Sequence, residues 1–128
     1  MNPIIHHRAD HDLKINFNIV EGEFKFEDLV SKIDEIIFHP EYIDAYNILI
    51  DISEASFIDF LENVSLLIDY FNKNSSLFNM NRKCSFITTK PQDVVHATLM
   101  IDKIKKTGVQ LNFEVFSTEK AALYWMSF

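Results

Sequence analysis

The sequence predicts an α/β fold, with a four- or five-stranded mixed, mainly parallel sheet and about four helices. Three observations predict it. Segments with a two-residue apolar period and segments with helical spacing follow one another in series along the chain. Ile48-Leu49-Ile50 is apolar on both faces of its strand, as in parallel sheets covered by helices. The breakers Gly22, Pro40, Pro91 and Gly108 fall where the period changes. With no linker, repeat or low-complexity tract, the 128 residues form a single domain.

The first strand candidate, Pro3 to His7, pairs across a polar turn, Arg8 to His11, with a second at Asp12 to Val20. In the second, Leu13, Ile15, Phe17 and Ile19 alternate with Lys14, Asn16 and Asn18, the pattern of a half-buried strand. Residues 1–11 are an edge strand or a loose N-terminus. Phe26, Leu29, Val30, Ile33, Ile36 and Ile37 then keep helical spacing. Glu27 and Asp28 sit in the first turn, where the helix dipole favours acids. Pro40 ends that helix. Tyr46 to Ile52 is the buried strand.

Asp59 opens the second helix, three residues before Glu62, the spacing of a capping box. Phe60, Val64, Leu67 and Phe71 form its inner stripe, and the cluster Asn72 to Ser76 ends it. Arg82 to Thr88 is the next strand. Pro91 suits the first turn of a third helix, which turns Val94, Ala97, Ile101 and Ile104 inward. Lys103, Lys105 and Lys106 complement its C-terminal dipole, with Gly108 as cap. Leu111 to Phe116 is the last strand. Ser117 or Thr118 caps a short helix, Glu119 to Met126, that buries Ala122 and Trp125. Three strand–helix units in series imply right-handed crossovers, with the first hairpin as a mixed edge.

The formal charge of −7 argues against nucleic acid and anionic membrane as partners, since both need clustered Lys and Arg. One cysteine, Cys84, excludes an intrachain disulfide. There is no signal-peptide core and no apolar run long enough to span a membrane, so a cytoplasmic location is expected. The 12 phenylalanines either line an apolar ligand cavity or reflect the codon bias that also raises Ile, Asn and Lys.

Asp51-Ile52-Ser53 followed by Phe57-Ile58-Asp59, in this element order, resembles the STAS domain of bacterial anti-sigma-factor antagonists. Phe38-His39-Pro40-Glu41-Tyr42, His96-Ala97-Thr98-Leu99-Met100 and the ending from Val115 to Met126 resemble a STAS/CRAL-TRIO-like branch of small bacterial proteins. The resemblance implies a STAS-like fold and a regulatory module that binds a protein partner. Its switch serine is not retained: where the family has two serines and a glycine, the chain reads Phe60-Leu61-Glu62. Asp51, Glu54, Asp59 and Glu62 crowd that corner, and like charges oppose a further anion. Asp59 therefore serves as a cap.

Other constellations are weak. His6, His7 and His11 with Asp10 and Asp12 lack the spacing of a metal site, and neighbouring strand residues point to opposite faces, so a solvated polar terminus is expected. Asp51 and Asp59 lack a nucleophile beside them. Cys84, mid-strand with no cation near it, reads as an inert buried thiol. No cofactor or metal is implied, and no enzyme activity.

The default site of an open α/β sheet lies beyond the carboxyl ends of its parallel strands. That rim should hold Asp51, Ser53, Glu54, Asp59, Thr88, Thr89, Lys90 and Ser117. The expected function is a non-enzymatic module engaging a protein partner or a second copy through that rim and the second helix. The alternative is a carrier or sensor of a small apolar or lipid-like ligand, lined by Phe57, Phe60, Leu61, Phe71 and Phe78.

Overall fold

The computed structural model describes residues 4–58, 60–74, 82–106 and 112–127, including all side chains but those of Phe26 and residues 60–64. Its elements are β1 (Ile4–Asp10), β2 (Ile15–Phe24), α1 (Phe26–Ile37), β3 (Asn47–Phe57), α2 (Phe60–Lys73), β4 (Lys83–Ile87), α3 (Pro91–Lys105), β5 (Asn112–Phe116) and α4 (Glu119–Met126). The strands lie in one sheet in the order β1-β2-β3-β4-β5. β1 is antiparallel to β2, and every other pair is parallel.

That order has a consequence for the layers. Each right-handed crossover moves the chain one strand further in the same direction, so α1, α2 and α3 all land on one face. Leu29 and Ile36 of α1, Leu67 and Phe71 of α2, and Met100, Ile101 and Ile104 of α3 share one core with Ile48, Cys84, Phe86 and Phe113 of the sheet. α4 packs on the opposite face, where Ala122 and Met126 meet Ile15, Phe17, Leu49 and Ile87. Its eight residues extend only about 12 Å. A five-stranded sheet is roughly 19 Å across from first strand to last. The face under β1 and the stretch of β2 from Ile19 onward is therefore left open.

The alternation expected of the second strand holds as geometry, with Ile15, Phe17 and Ile19 on one face, but the expected half-burial is overturned. Asn16 and Asn18 are fully buried, while Leu13 is 52% and Ile19 43% exposed. β2 is an interior strand, and both asparagines behave as extra backbone. Asn16 accepts the Ile43 amide at 3.1 Å and donates to the Ile43 carbonyl at 2.8 Å. Asn18 Nδ2 donates to the carbonyls of Asn16 and Leu49. Its Oδ1 meets His7 Nδ1 at 2.7 Å, and since an amide oxygen only accepts, His7 carries a proton on Nδ1.

The hairpin is also displaced. β1 runs to Asp10, and the turn occupies residues 11–14. Asp10 Oδ1 accepts the amides of Asp12 and Leu13 at 3.0 and 2.9 Å, an Asx turn that leads into Lys14 at φ 56°. The Leu13 amide in particular holds the Asp10 carboxyl below its usual range. Of the two alternatives for residues 1–11, the described part, from Ile4 to Asp10, takes the edge strand.

β3 continues five residues past the predicted end at Ile52 because β2 continues with it. The β2–β3 register shifts between Ile19 and Glu21, and pairing resumes from Glu21↔Glu54 to Phe24↔Phe57. Gly22 next to the irregularity has φ 104°, a left-handed geometry that favours glycine. Asp51, Ser53 and Glu54 consequently lie inside a strand and not at its carboxyl end.

The described parts of the predicted stripes hold, Leu67 and Phe71 being buried on α2, while the side chains of Phe60 and Val64 lie outside the described residues. Asp59, with its capping box, and Gly108 lie outside the described residues. Ala97, Ile101 and Ile104 are buried as expected, Val94 is half-buried, and Met100 joins the core. Thr118 Oγ1 caps α4 by accepting the Ala121 amide at 3.1 Å. Met126 replaces Trp125 as its second buried anchor. Ser85 Oγ reaches Met126 Sδ at 2.9 Å, whereas the larger indole of Trp125 is half-buried against Phe116 beneath Lys83.

Candidate functional site

On the helix-covered face the core does not close completely. A cavity of about 70 Å³ lies between α1, α2, α3 and the sheet. β1 contributes Ile5, β3 Ile48, Ile50, Ile52 and Phe57, α1 Ile33 and Ile37, α2 Leu67 and Phe71, and α3 Ala97 and Met100. Phe113 forms one end, stacked on Phe86 and edge-on to Phe71, with ring centroids 6.1 and 5.6 Å away. The polar side chains among the described lining are Tyr42, Cys84, Asp93 and His96. Of the apolar pocket expected from sequence, Phe57 and Phe71 line this cavity. The side chains of Phe60 and Leu61, and all of Phe78, lie outside the described residues.

Buried polar ties join the segments around this cavity, and one of them joins α1 to α2. Arg82, 3% exposed, donates from Nη1 to Tyr42 Oη at 2.7 Å and to the Asp44 carbonyl. Tyr70 of α2 donates to Asp34 Oδ1 of α1 at 2.6 Å. Burial first, and then the Asp34 carboxylate, push the Tyr70 phenol up. Burial also raises the Tyr42 phenol, with Arg82 opposing. Cys84 is pushed up to about 12 by burial, and Arg82 pulls only weakly the other way. A cation does lie near Cys84, contrary to expectation, but the thiol stays protonated and is not a nucleophile near neutral pH.

The rim residues make local hydrogen bonds. Asp51 Oδ1 accepts the Ser53 amide at 2.9 Å. Thr88 is fully buried, and its Oγ1 accepts the Lys90 amide at 3.4 Å. Lys90 Nζ donates to the Ala55 carbonyl at 3.0 Å, tying the start of α3 to the extension of β3. Glu54, Thr89 and Ser117 are exposed, and Asp59 is outside the described residues. The topological rule that gathers ligands at such a rim needs a point where strand order reverses. Here the order is strictly consecutive, so no such crevice forms among the described strands.

The histidines are dispersed. His6 contacts Glu21 at 3.5 Å. His7 packs 4.9 Å from the His39 ring and 6.3 Å from Tyr42. His11 Nδ1 pairs with Tyr46 Oη at 2.9 Å. Among the described residues no three His, Cys, Asp or Glu side chains are grouped to hold a metal ion, and no helix is long and apolar enough to cross a membrane.

No protein-family model and no curated protein matches the sequence. Among solved structures the chain is similar to an uncharacterized protein of the DUF3478 family with a SpoIIAA-like fold from Shewanella loihica. The two are 15% identical, with a TM-score of 0.59, over 98% of this chain and 94% of that one. An antisigma-factor antagonist STAS domain from Rhodobacter sphaeroides aligns at 14% identity over 87% of this chain and 84% of that one, with a TM-score of 0.35. Five-stranded mixed sheet, four helices and the likeness to the Shewanella protein together establish a STAS-like, SpoIIAA-like α/β fold.

Proposed function

We propose that the chain is a non-enzymatic binding module, a carrier or sensor that holds a small apolar molecule between its three crossover helices and the sheet. The cavity carries this reading. An apolar void of about 70 Å³ left empty costs roughly 2 kcal/mol at the penalty known for engineered cavities. Water fills such a space poorly, because it needs two to four polar partners and the surface of the described walls is almost wholly apolar. An apolar guest removes the penalty. Asp93 and His96 suit a guest with one hydrogen-bonding end. No cofactor enters this reading.

Native mass spectrometry of the freshly purified chain tests it. The expected result is a retained apolar guest, or uptake of a hydrophobic fluorescent dye that Ala97→Val reduces. A mass equal to the polypeptide alone, with no dye taken up, would overturn it.

Engagement of a protein partner or a second copy is the second reading, supported by one further observation. Val95 and Leu99, one turn apart on α3, are 58% and 43% exposed, and Leu66 on α2 is 42% exposed. Exposed apolar side chains on adjacent helices favour contact with another protein. α3 also carries Asp93 and His96, so guest and partner would share one helix. Light scattering at two concentrations, with and without Leu99→Glu, measures self-association; a monomer at both, joined by no captured partner that Leu99→Glu releases, would count against this reading.

A further inference from the structure

The bare face of the sheet carries a second concavity, independent of the cavity beneath the helices. Strand pairing sets side chains there in two cross-strand rows. Arg8 pairs with Phe17 and Phe17 with Leu49; the next row on the same face is His6, Ile19 and Asp51. Glu119 projects from the first turn of α4. Together these residues line a groove of about 190 Å³.

The groove has a graded chemistry from β1 to β3. At the β1 end the Arg8 guanidinium lies 4.1 Å from the centroid of the Phe17 ring, which holds it in place. Its ion pair with Asp10 is long, 3.5 Å, and its side chain is 61% exposed, so its donors are open to another carboxylate. The middle is apolar, with Phe17 and Leu49 buried as a floor and Ile19 43% exposed above it. The far end is acidic, with Asp51 on β3 and Glu119 on α4. Only one oxygen of Asp51 is engaged among the described residues, by the Ser53 amide.

We propose that this groove binds a short free peptide of about three residues with an apolar middle side chain. Its carboxylate would sit on Arg8, its ammonium between Asp51 and Glu119, and its side chain on Phe17 and Ile19. The length follows from two spacings. Neighbouring strands are about 4.8 Å apart, so β1 and β3 are separated by roughly 10 Å. An extended chain advances about 3.3–3.6 Å per residue, and three residues match that span. A lone anion is disfavoured by the surrounding carboxylates of Asp10, Glu21, Asp51 and Glu119. A lone cation meets Arg8. A segment inside a longer protein offers neither terminal charge. Only a ligand charged at both ends complements both walls.

The test uses the full chain and the tripeptide Gly-Leu-Gly, followed by backbone amide NMR titration. Saturable shifts are expected at Arg8, Ile19 and Asp51. Acetylating the peptide's amine or amidating its carboxyl should each weaken binding about tenfold, the size of one charge-assisted hydrogen bond. Arg8→Gln should erase the preference for a free carboxyl and keep that for a free amine; Asp51→Asn should do the reverse. Both positions are on the surface, and unchanged amide spectra elsewhere confirm the fold. Absence of saturable shifts overturns the proposal. So does equal binding of the doubly blocked peptide, or shifts confined to cavity residues such as Phe71 and Met100.

Discussion

Ile104 on α3 is fully buried, while Ile19 on β2 is 43% exposed, although both belong to stripes that read as inward-facing in sequence. The difference is one of sides. Ile104 faces the layer built by three helices, and Ile19 faces the side reached only by α4. Consecutive strand order with crossovers of one hand places α1, α2 and α3 together, and the eight residues of α4 cannot replace a missing layer. One face therefore holds most of the stabilising burial and an apolar cavity between helices and sheet. The other offers a graded, charged groove open to solvent. The same topology that makes the core also exposes the second surface.

The largest effect that separates the faces is expected from Ile104→Ala. Removal of a fully buried aliphatic side chain costs about 2–5 kcal/mol, read as a lower urea midpoint at unchanged slope. A cost under about 1 kcal/mol would mean that the neighbouring cavity lets the site collapse and that the helix layer is softer than its burial implies.

Gly22→Ala comes next. At φ 104° a Cβ is strained, and Gly22 lies in the stretch, Glu21 to Phe24, over which β2 and β3 run on together beyond Asp51. The expected loss is roughly 1–2 kcal/mol. If the extension is peeled off instead, amide exchange should rise from Ala55 to Phe57 with little change around Ile48.

The helix-covered face should also be the alkali-sensitive one. The Cys84 thiol, ordinarily near 9.0, is raised to about 12 in the fold. A raised value means that its stabilising contribution is complete below pH 9 and is lost as pH rises through about 12. At pH 10 the loss is on the order of 1 kcal/mol. Tyr42 and Tyr70 act in the same direction, above pH 10. Cys84→Ala should lessen the slope of the stability profile between pH 9 and 10, where the phenols only begin to contribute; a profile as steep as the parent's would assign the sensitivity elsewhere.

Where burial follows a local period, the sequence was readable. Leu67 and Phe71, or Ala97, Ile101 and Ile104, needed only helical spacing to be placed. Non-local pairing was not readable. Ser53 to Phe57 is polar enough to look like the end of a strand, and it stays extended because β2 runs on past the register shift between Ile19 and Glu21 and keeps pairing with it. Asn16 looks solvent-facing until the Ile43 backbone, 27 residues away, satisfies both ends of its amide. The cavity was half-legible for the same reason. Phe57 and Phe71 stood out as apolar, whereas Ile5 and Tyr42 reach the same space from elements far apart in the chain. The rim depends on strand order, which no single segment encodes.

The smallest effect gives the most discriminating comparison. Ile19→Thr keeps a β-branched side chain and so leaves strand preference nearly unchanged, while removing apolar surface from the middle of the bare face. If that face is solvated in the working protein, stability should change by no more than about 0.5 kcal/mol. A loss of about 2 kcal/mol or more, growing with protein concentration in the parent, would mean that a second copy covers the face. Ile19 would then belong to an interface, and the asymmetry between the two sides would describe only the isolated chain. A negligible loss together with weaker Gly-Leu-Gly binding would place Ile19 where its row, between His6 and Asp51, puts it: on a surface shaped for a ligand and not for the core.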